Sequence, residues 1–198
     1  MSLLRTRPRD RVLRSDSELL RGVADGDLAC LGDLYDRHAQ DVWRVVSRTL
    51  RDSADVEDVV HATFMNLPRI AASYDGRAEC AGWLNGIAVR LALRHGRGAG
   101  RFRRMLQSLS QVVSSRSSSD PERKASHHED AAIFERALGG LTAKKRAVFV
   151  LVELEGLSSD ETAKALEIPA ATVRTRLLHA RRELQAALER HARESGKS

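Results

Sequence analysis

The stretch from Gly156 to Leu188 predicts a helix, a tight turn and a second helix. Gly156 can end a preceding helix with a left-handed residue, and Ser158 with Glu161 has the spacing of a capping box, which starts the next one. Pro169 stops that short helix, because proline has no amide hydrogen and its ring clashes with the preceding turn. A second helix must therefore begin close to Pro169.

The second helix of this stretch has an apolar face and a basic face. Its apolar residues recur at steps of four, three and four, as on the buried side of an amphipathic helix: Val173, Leu177, Ala180 and Leu184. Arginines occupy other positions: 174, 176, 181 and 182. This combination is typical of a helix-turn-helix that reads the major groove of DNA. A helical hairpin with a solvated basic face is the alternative.

The charge of the chain is unevenly distributed. The net charge is +6, yet residues 15 to 79 hold 13 acidic against 7 basic side chains. Residues 80 to 119 contain seven arginines and no acidic residue. Such a reversal indicates two surfaces with different partners, one of them a polyanion.

Composition restricts the class of protein further. With 198 residues, 42% apolar and only 4% aromatic, the chain suits one or two small helical domains built on Leu, Val and Ala. Two cysteines are too few for a disulfide framework, and no apolar run reaches the roughly 20 residues that a membrane span needs. We therefore expect a cytoplasmic protein without membrane insertion, with a flexible basic arm at residues 1–14.

Apolar periodicity predicts four helices between residues 15 and 97. The first is capped by Asp16 or Ser17, the second follows Asp27, the third follows Asp52 or Ser53 and ends before Pro68, and the fourth begins at Trp83. The predicted inner face of the second helix comprises Leu28, Leu31, Tyr35, His38, Val42, Val45 and Thr49. We expect His38 to be a hydrogen-bonded residue at the edge of the core rather than a metal ligand.

The fourth helix carries Arg90, Arg94 and Arg97 on one face. Three cations at steps of four and three repel each other unless an anion is bound, and a nucleic-acid backbone would serve. Residues 98–131 are rich in Ser, Gly and charge, which predicts a flexible linker. If extended, this linker would let the parts before and after it contact one DNA at separate places.

Both parts resemble bacterial RNA polymerase sigma factors of the extracytoplasmic-function group in the sigma-70 family. The strings LYDRHAQDVWRVV, DVEDVVHATFMNL and WLNGIAV resemble region two, and the string from Leu141 to Leu184 is similar to region four. The resemblance implies an all-α protein with a region-two domain at residues 15–97, the linker, and a region-four domain at residues 132–198. It also implies core RNA polymerase and promoter DNA as partners, an anti-sigma protein as regulator, and neither enzyme activity nor a cofactor.

The resemblance assigns roles to individual residues. In region four, Arg174, Thr175, Leu178 and His179 would reach base edges of the upstream (minus-thirty-five) element, while Arg176 and Arg181 would hold phosphates. In region two, the loop from Tyr74 to Gly82 would capture a base flipped from the minus-ten element. Minus-ten contacts are assigned to Tyr74, Arg77, Cys80, Trp83, Arg90, Arg94 and Arg97. The polymerase would bind Asp55, Glu57, Asp58 and His61.

Two other classes of function stay open at the level of sequence. Glu57 and His61, four apart on one helix face with Asp58 nearby, could begin a catalytic metal site, although no second cluster completes its ligands. A two-domain regulator could bind DNA through the same helix-turn-helix without polymerase. In such a regulator, the three arginines on one face of the fourth helix would have no role.

Overall fold

The computed structural model describes residues 14–50, 55–76, 79–109 and 127–195, and within these ranges the regular structure is entirely helical. The helices are α1 (Asp16–Ala24), α2 (Leu28–Thr49), α3 (Val56–Met65), α4 (Leu67–Ile70), α5 (Cys80–Leu109), α6 (His127–Gly140), α7 (Ala143–Phe149), α8 (Ser159–Leu166) and α9 (Ala170–Ser195). A 3-10 turn at Ala71–Ser73 follows α4, and a π-helical segment at Val150–Leu154 continues α7. The predicted all-α class is confirmed.

Local capping signals start several helices where the sequence predicts. Asp27 caps α2 through its side chain, and Ser158 with Glu161 forms a complete capping box at the start of α8. The prediction for α1 was wrong by one or two residues, because the cap is Ser15, whose capping-box partner is Glu18. Both pairs have the three-residue spacing that lets a side chain and a backbone amide satisfy each other.

Helices α1 to α4 and the first part of α5 enclose one apolar core. Its fully buried side chains include Leu19, Leu34, Val42, Leu67 and Leu84. The predicted inner face of α2 was partly wrong, since Leu28 is 73% exposed and Tyr35 is 37% exposed. Cys30 and Val46 are buried instead.

Helices α6 to α9 enclose a second core. The predicted stripe on α9 is confirmed, because Val173, Leu177, Ala180 and Leu184 are all buried. Gly156, with φ of 72°, precedes α8 as predicted, and Glu167 takes a left-handed conformation at its end, with φ of 54°. The two helices of the motif are therefore joined through a turn of only a few residues.

The two cores are in direct contact. We call residues 14–109 the N-terminal half and residues 127–195 the C-terminal half. Val45 and Val89 of the N-terminal half pack into the core of the other half. At Gly86, an added Cβ would lie 2.5 Å from the Cβ of Ala165, so α5 and α8 cross at a distance that only glycine permits.

The helices extend into the predicted linker from both ends. Helix α5 continues to Leu109 and α6 begins at His127, so residues 98–109 and 127–131 are helical rather than irregular. Residues 110–126 of the predicted linker and residues 1–13 of the predicted arm lie outside the described ranges. Within those ranges, no helix combines the length and the apolar character needed to cross a membrane.

Candidate nucleic-acid interface

Helix α9 presents one continuous exposed face opposite its buried stripe. Arg174, Thr175 and His179 are exposed, Arg176 is half-buried, and Leu178 is 47% exposed. The hydroxyl of Thr175 donates a hydrogen bond of 3.0 Å to the carbonyl of Ala171, one turn earlier. The structure therefore brings the predicted base-reading residues together on the first turns of α9, which is where helix-turn-helix proteins contact base edges.

Arg181 is held by an acidic residue of its own half. Its Nε and Nη2 atoms donate hydrogen bonds of 3.0 and 2.5 Å to one carboxylate oxygen of Glu153, in the π-helical segment. Exposed ion pairs of this kind contribute about 0 to 1 kcal/mol. A phosphate could therefore replace Glu153 at little cost.

The basic face of α5 is turned toward the helix-turn-helix. Arg90 forms an ion pair with Glu167 in the turn before α9, and Nη2 of Arg94 lies 3.9 Å from the same carboxylate. The side chain of Arg97 lies outside the described part of the structure. The sequence predicted an anion for this face, and in this arrangement a carboxylate of the other half supplies it.

The predicted base-capture loop was partly misplaced. Cys80 is the first residue of α5 and only 4% exposed, so it does not offer its side chain to DNA in this arrangement. The rings of Tyr74 and Trp83 pack against each other with centroids 5.2 Å apart, and both are half-buried. Arg77 lies outside the described residues. Of the predicted loop residues, Tyr74 and Trp83 are therefore the two aromatic side chains that could contact a DNA base.

A groove between α2 and α3 lies beside the predicted polymerase-binding residues. Glu57, Asp58 and His61 are exposed on α3, and a cavity of about 490 Å³ runs between Glu57, His61, Tyr35 and Trp43. Trp43 is 48% exposed. Sequence reasoning missed both aromatic residues as surface features, although Trp43 falls outside the apolar periodicity of α2 and could have been noticed on that ground.

Asp55 differs from its three neighbours in the predicted polymerase site. It is half-buried at the start of α3, and its carboxylate lies 3.4 Å from Nδ1 of His95 on α5. Its contact with a partner protein would therefore be restricted compared with that of Glu57 or Asp58.

The catalytic-metal alternative is not supported by the geometry. Among the described residues, the one group of three ligand-type side chains close enough to hold a metal is Asp16, His38 and Cys80. Glu57, Asp58 and His61 do not form such a group, and His61 instead stacks on Tyr35 with ring centroids 6.2 Å apart. Burial and the nearby Asp16 carboxylate raise the pKa of the Cys80 thiol to about 12.

A partly buried polar contact between Asn85 and Glu155 joins the two halves. Nδ2 of Asn85 donates a hydrogen bond of 2.8 Å to Oε2 of Glu155. The Oδ1 atom of Asn85 is buried and accepts no hydrogen bond from any described residue. Burial raises the pKa of Glu155 above its ordinary value, although Arg44 and Arg48 act in the opposite direction.

We expect Glu155→Gln to stabilise the protein at neutral pH by up to about 1 kcal/mol. The glutamine would keep the bond from Asn85, could donate to its Oδ1 atom, and would remove the cost of burying a charge. Because the folded pKa of Glu155 is raised, its stabilising contribution is complete below the unfolded pKa of about 4.3 and is lost as pH rises through the folded value.

The advantage of the variant over the wild type should therefore grow between about pH 4 and pH 7. Urea unfolding across this range measures it. Glu135→Gln, which removes the carboxylate that accepts from Arg48 at 3.3 Å, is a matched control at an exposed contact between the halves. An advantage of Glu155→Gln that is constant with pH would show that ionisation of Glu155 does not oppose folding.

Comparisons with known proteins agree on one family. Residues 34–102 match the family model for sigma-70 region 2, and residues 131–184 match the model for sigma-70 region 4. The chain is 32% identical to the ECF RNA polymerase sigma factor SigE of Mycolicibacterium smegmatis, over 88% of this chain and 69% of the relative. It is also 32% identical to the ECF RNA polymerase sigma factor SigL of Mycobacterium tuberculosis, over 85% and 94% of the two chains.

Solved structures give the same result for the fold. CnrH, solved in complex with the cytosolic domain of CnrY, matches 88% of this chain and 97% of its own with a TM-score of 0.59 and 26% identity. The sigma factor RpoE of Bartonella quintana, solved with the anti-sigma factor NepR, also has a TM-score of 0.59, at 22% identity, over 76% of this chain and 91% of its own. At 22% identity, the similarity to RpoE supports only the fold.

Proposed function

The chain belongs to the ECF RNA polymerase sigma factors of the sigma-70 family and is a transcription initiation factor, and we propose how its two halves divide that work. The C-terminal half reads the upstream promoter element with α9. The N-terminal half binds core RNA polymerase and helps to open the minus-ten element. The proposal rests on two separate basic faces, one on α5 and one on α9, each suited to DNA. The acidic residues Glu57 and Asp58 lie on a different helix, α3, which is left for the polymerase.

The exposed face of α9 is suited to base readout. Arg174 is the strongest candidate, since an arginine can donate two parallel hydrogen bonds to a guanine, and Leu178 can contact a thymine methyl group. Arg176 is half-buried at the edge of this face, and Arg181 forms an ion pair with Glu153. Both positions suit contacts with phosphates. Phosphate contacts set the position of the protein without reading sequence.

We expect Arg174→Ala to weaken binding to the cognate upstream element by about 1 to 3 kcal/mol and to relax preference at one base position. Arg176→Ala is the matched control, because loss of a phosphate contact weakens binding to all sequences about equally. Affinities for single-base variants of the element, measured at one salt concentration, separate the two. A uniform loss with Arg174→Ala would assign that residue to phosphate instead.

The basic face of α5 becomes available when the halves separate. We propose that Arg90 and Arg94, together with Trp83 and Tyr74, contact the minus-ten element. In the structure, where the two halves are packed together, Glu167 forms ion pairs with both arginines. The pair of Arg94 is exposed, whereas the side chain of Arg90 is half-buried. Each pair contributes on the order of 1 kcal/mol. The larger cost of opening is the apolar packing between the halves, and we propose that binding to core polymerase offsets it.

The groove between α2 and α3 is the proposed contact for core polymerase. It combines exposed aromatic side chains, Tyr35 and Trp43, with the carboxylates of Glu57 and Asp58. Aromatic residues supply much of the binding energy at protein interfaces, and surrounding charges set the orientation of the partner. His61 and Asp55 complete this surface in the proposal.

Regulation and location follow from the same proposal. We infer an anti-sigma protein as a further partner, as the family resemblance implies. CnrH, which is 26% identical to this chain, was solved in complex with a domain of another protein, CnrY. Because core polymerase is its partner, we place the protein in the cytoplasm. It would act without a catalytic site of its own, since phosphoryl transfer belongs to the polymerase.

A footprinting experiment separates this proposal from a regulator that acts alone. Promoter fragments are treated with the protein, with core polymerase, and with both. Protection over both promoter elements, with unpaired bases at minus ten, is expected only when both are present. A specific footprint from the protein alone, unchanged when core polymerase is added, would favour the independent regulator.

A further inference from the structure

Three side chains of different chemistry converge beneath the start of α5. Asp16 comes from α1, His38 from α2 and Cys80 from α5, and one ligand atom of each lies within 4.8 Å of the others. His38 and Cys80 are buried, with 7% and 4% of their surface exposed. Because the three residues are brought together from distant parts of the chain, packing of the N-terminal half fixes their positions.

The contacts around Asp16 leave one oxygen directed at this cluster. Its Oδ2 atom lies 2.8 Å from Nε2 of His38, while its Oδ1 atom forms the ion pair with Arg37. A carboxylate that is held through one oxygen and offers the other is the usual arrangement of a ligand fixed by a residue behind it. Arg37 would therefore orient Asp16 without occupying the atom that faces His38 and Cys80.

The space next to the cluster has room for another ligand. A cavity of about 470 Å³ is lined by Asp16, His38, Cys80, Tyr74 and Glu79, among others. A thiolate, an imidazole and a carboxylate, with water or a second carboxylate in a fourth position, form a donor set that zinc accepts in tetrahedral geometry. Hard cations such as Mg²⁺ and Ca²⁺ prefer all-oxygen sites and do not fit this set.

We propose that Asp16, His38 and Cys80 bind one Zn²⁺ ion, with water from the adjacent cavity as the fourth ligand. Contraction of the cluster brings each ligand atom to about 2.0 to 2.3 Å from the ion. The thiol proton of Cys80 is released to solvent when the sulfur binds. The proton shared by Nε2 of His38 and Oδ2 of Asp16 leaves Nε2, either for Nδ1 of the same ring or for solvent, so that both atoms can bind the ion. The sequence placed His38 at the edge of the core rather than in a metal site. Asp16 lies 22 residues before His38 and Cys80 lies on another helix, so no local spacing relates the three residues.

A bound ion would tie the start of α5 to α1 and α2. Tyr74 lines the same cavity as the three proposed ligands. Because Tyr74 and Cys80 both belong to the proposed minus-ten surface, zinc would make promoter opening sensitive to the metal. That consequence rests on the proposed function, whereas the metal site itself does not.

Zinc binding to the untagged full-length chain tests the site directly. We expect one equivalent of Zn²⁺ by titration calorimetry, and Co²⁺ as a probe should give the intense absorption of a tetrahedral site with a sulfur-to-cobalt charge-transfer band. Cys80→Ser and Asp16→Asn should each weaken Zn²⁺ binding at least about 10-fold and Cys80→Ser should abolish the charge-transfer band. Circular dichroism establishes that each variant is folded.

Two matched variants identify the ligands. Cys30→Ser removes the other cysteine, which is also buried, and His127→Gln with His128→Gln removes the adjacent histidine pair; both should bind zinc like the wild type. Absence of stoichiometric binding by the wild type would overturn the proposal, as would equal binding by folded Cys80→Ser and Asp16→Asn. These outcomes are independent of promoter recognition, so the site can fail while the proposed function stands.

Discussion

Replacing both Glu57 and Asp58 with lysine is expected to lower the affinity of the protein for core RNA polymerase by at least about 100-fold. Both carboxylates are exposed on α3 beside the groove that contains Trp43. Reversing two charges at an electrostatically complementary contact places like charges together, and each such contact costs on the order of several kcal/mol. Neither side chain contributes to the core, but both lie in the first turn of α3, where the helix dipole favours negative charge. We therefore expect the two reversals to lower stability by about 1 to 2 kcal/mol, which leaves the variant folded for the binding measurement.

Binding of labelled protein to core polymerase measures this effect, with the salt concentration held constant. Glu189→Lys combined with Glu194→Lys is the control, because it makes the same change in net charge at exposed positions near the end of α9. We expect the control to keep most of its affinity. If the double lysine variant of α3 binds core polymerase as the wild type does, this helix is not the polymerase contact.

Arg146→Leu is expected to lower the free energy of unfolding by about 3 to 4 kcal/mol. Arg146 is only 4% exposed, and its Nε atom donates a hydrogen bond of 2.9 Å to the carbonyl of Thr49, the last residue of α2. Its Nη1 atom donates to the carbonyl of Gly139 at 3.3 Å, in the last turn of α6. One cation thus satisfies terminal carbonyls of two helices, where the helix dipole also favours positive charge.

Leucine at position 146 would remove the donor from both carbonyls. The carbonyl of Thr49 is in a buried contact and belongs to the other half of the protein, whereas the contact with Gly139 is only partly buried. The midpoint of urea unfolding, at constant slope, measures the loss. Lys144→Leu removes an exposed cation from the same helix and should change stability by less than about 0.5 kcal/mol. Equal effects of the two substitutions would mean that the buried guanidinium does not hold the halves together.

Features encoded by neighbouring residues were predictable from the sequence. The capping box of Ser158 and Glu161 and the buried stripe from Val173 to Leu184 depend on spacings of three and four residues, so the helix-turn-helix could be recognised without a structure. The fold class followed for the same reason. The edges of the helices were less predictable, as α1 shows, because Ser15, Asp16 and Ser17 are all acceptable caps.

Features that depend on contacts between distant residues were not predictable. Arg90 meets Glu167, 77 residues later in the chain, and no local pattern relates the two. Cys80 was expected in a loop because glycines surround it, yet burial in the N-terminal core places it at the start of α5. The flexible segment predicted between the halves gave no indication that α5 and α8 would cross at Gly86.

Transcription from natural templates tests whether the protein directs core RNA polymerase to promoters. Supercoiled genomic fragments are incubated with core RNA polymerase and nucleotides, with and without the protein, and the starts of the transcripts are mapped. We expect RNA synthesis to require the protein, and the mapped starts to lie downstream of shared upstream and minus-ten sequences. Arg174→Ala should alter the preference at the upstream sequence. No protein-dependent RNA from any fragment, under conditions where the protein binds core polymerase, would contradict this role.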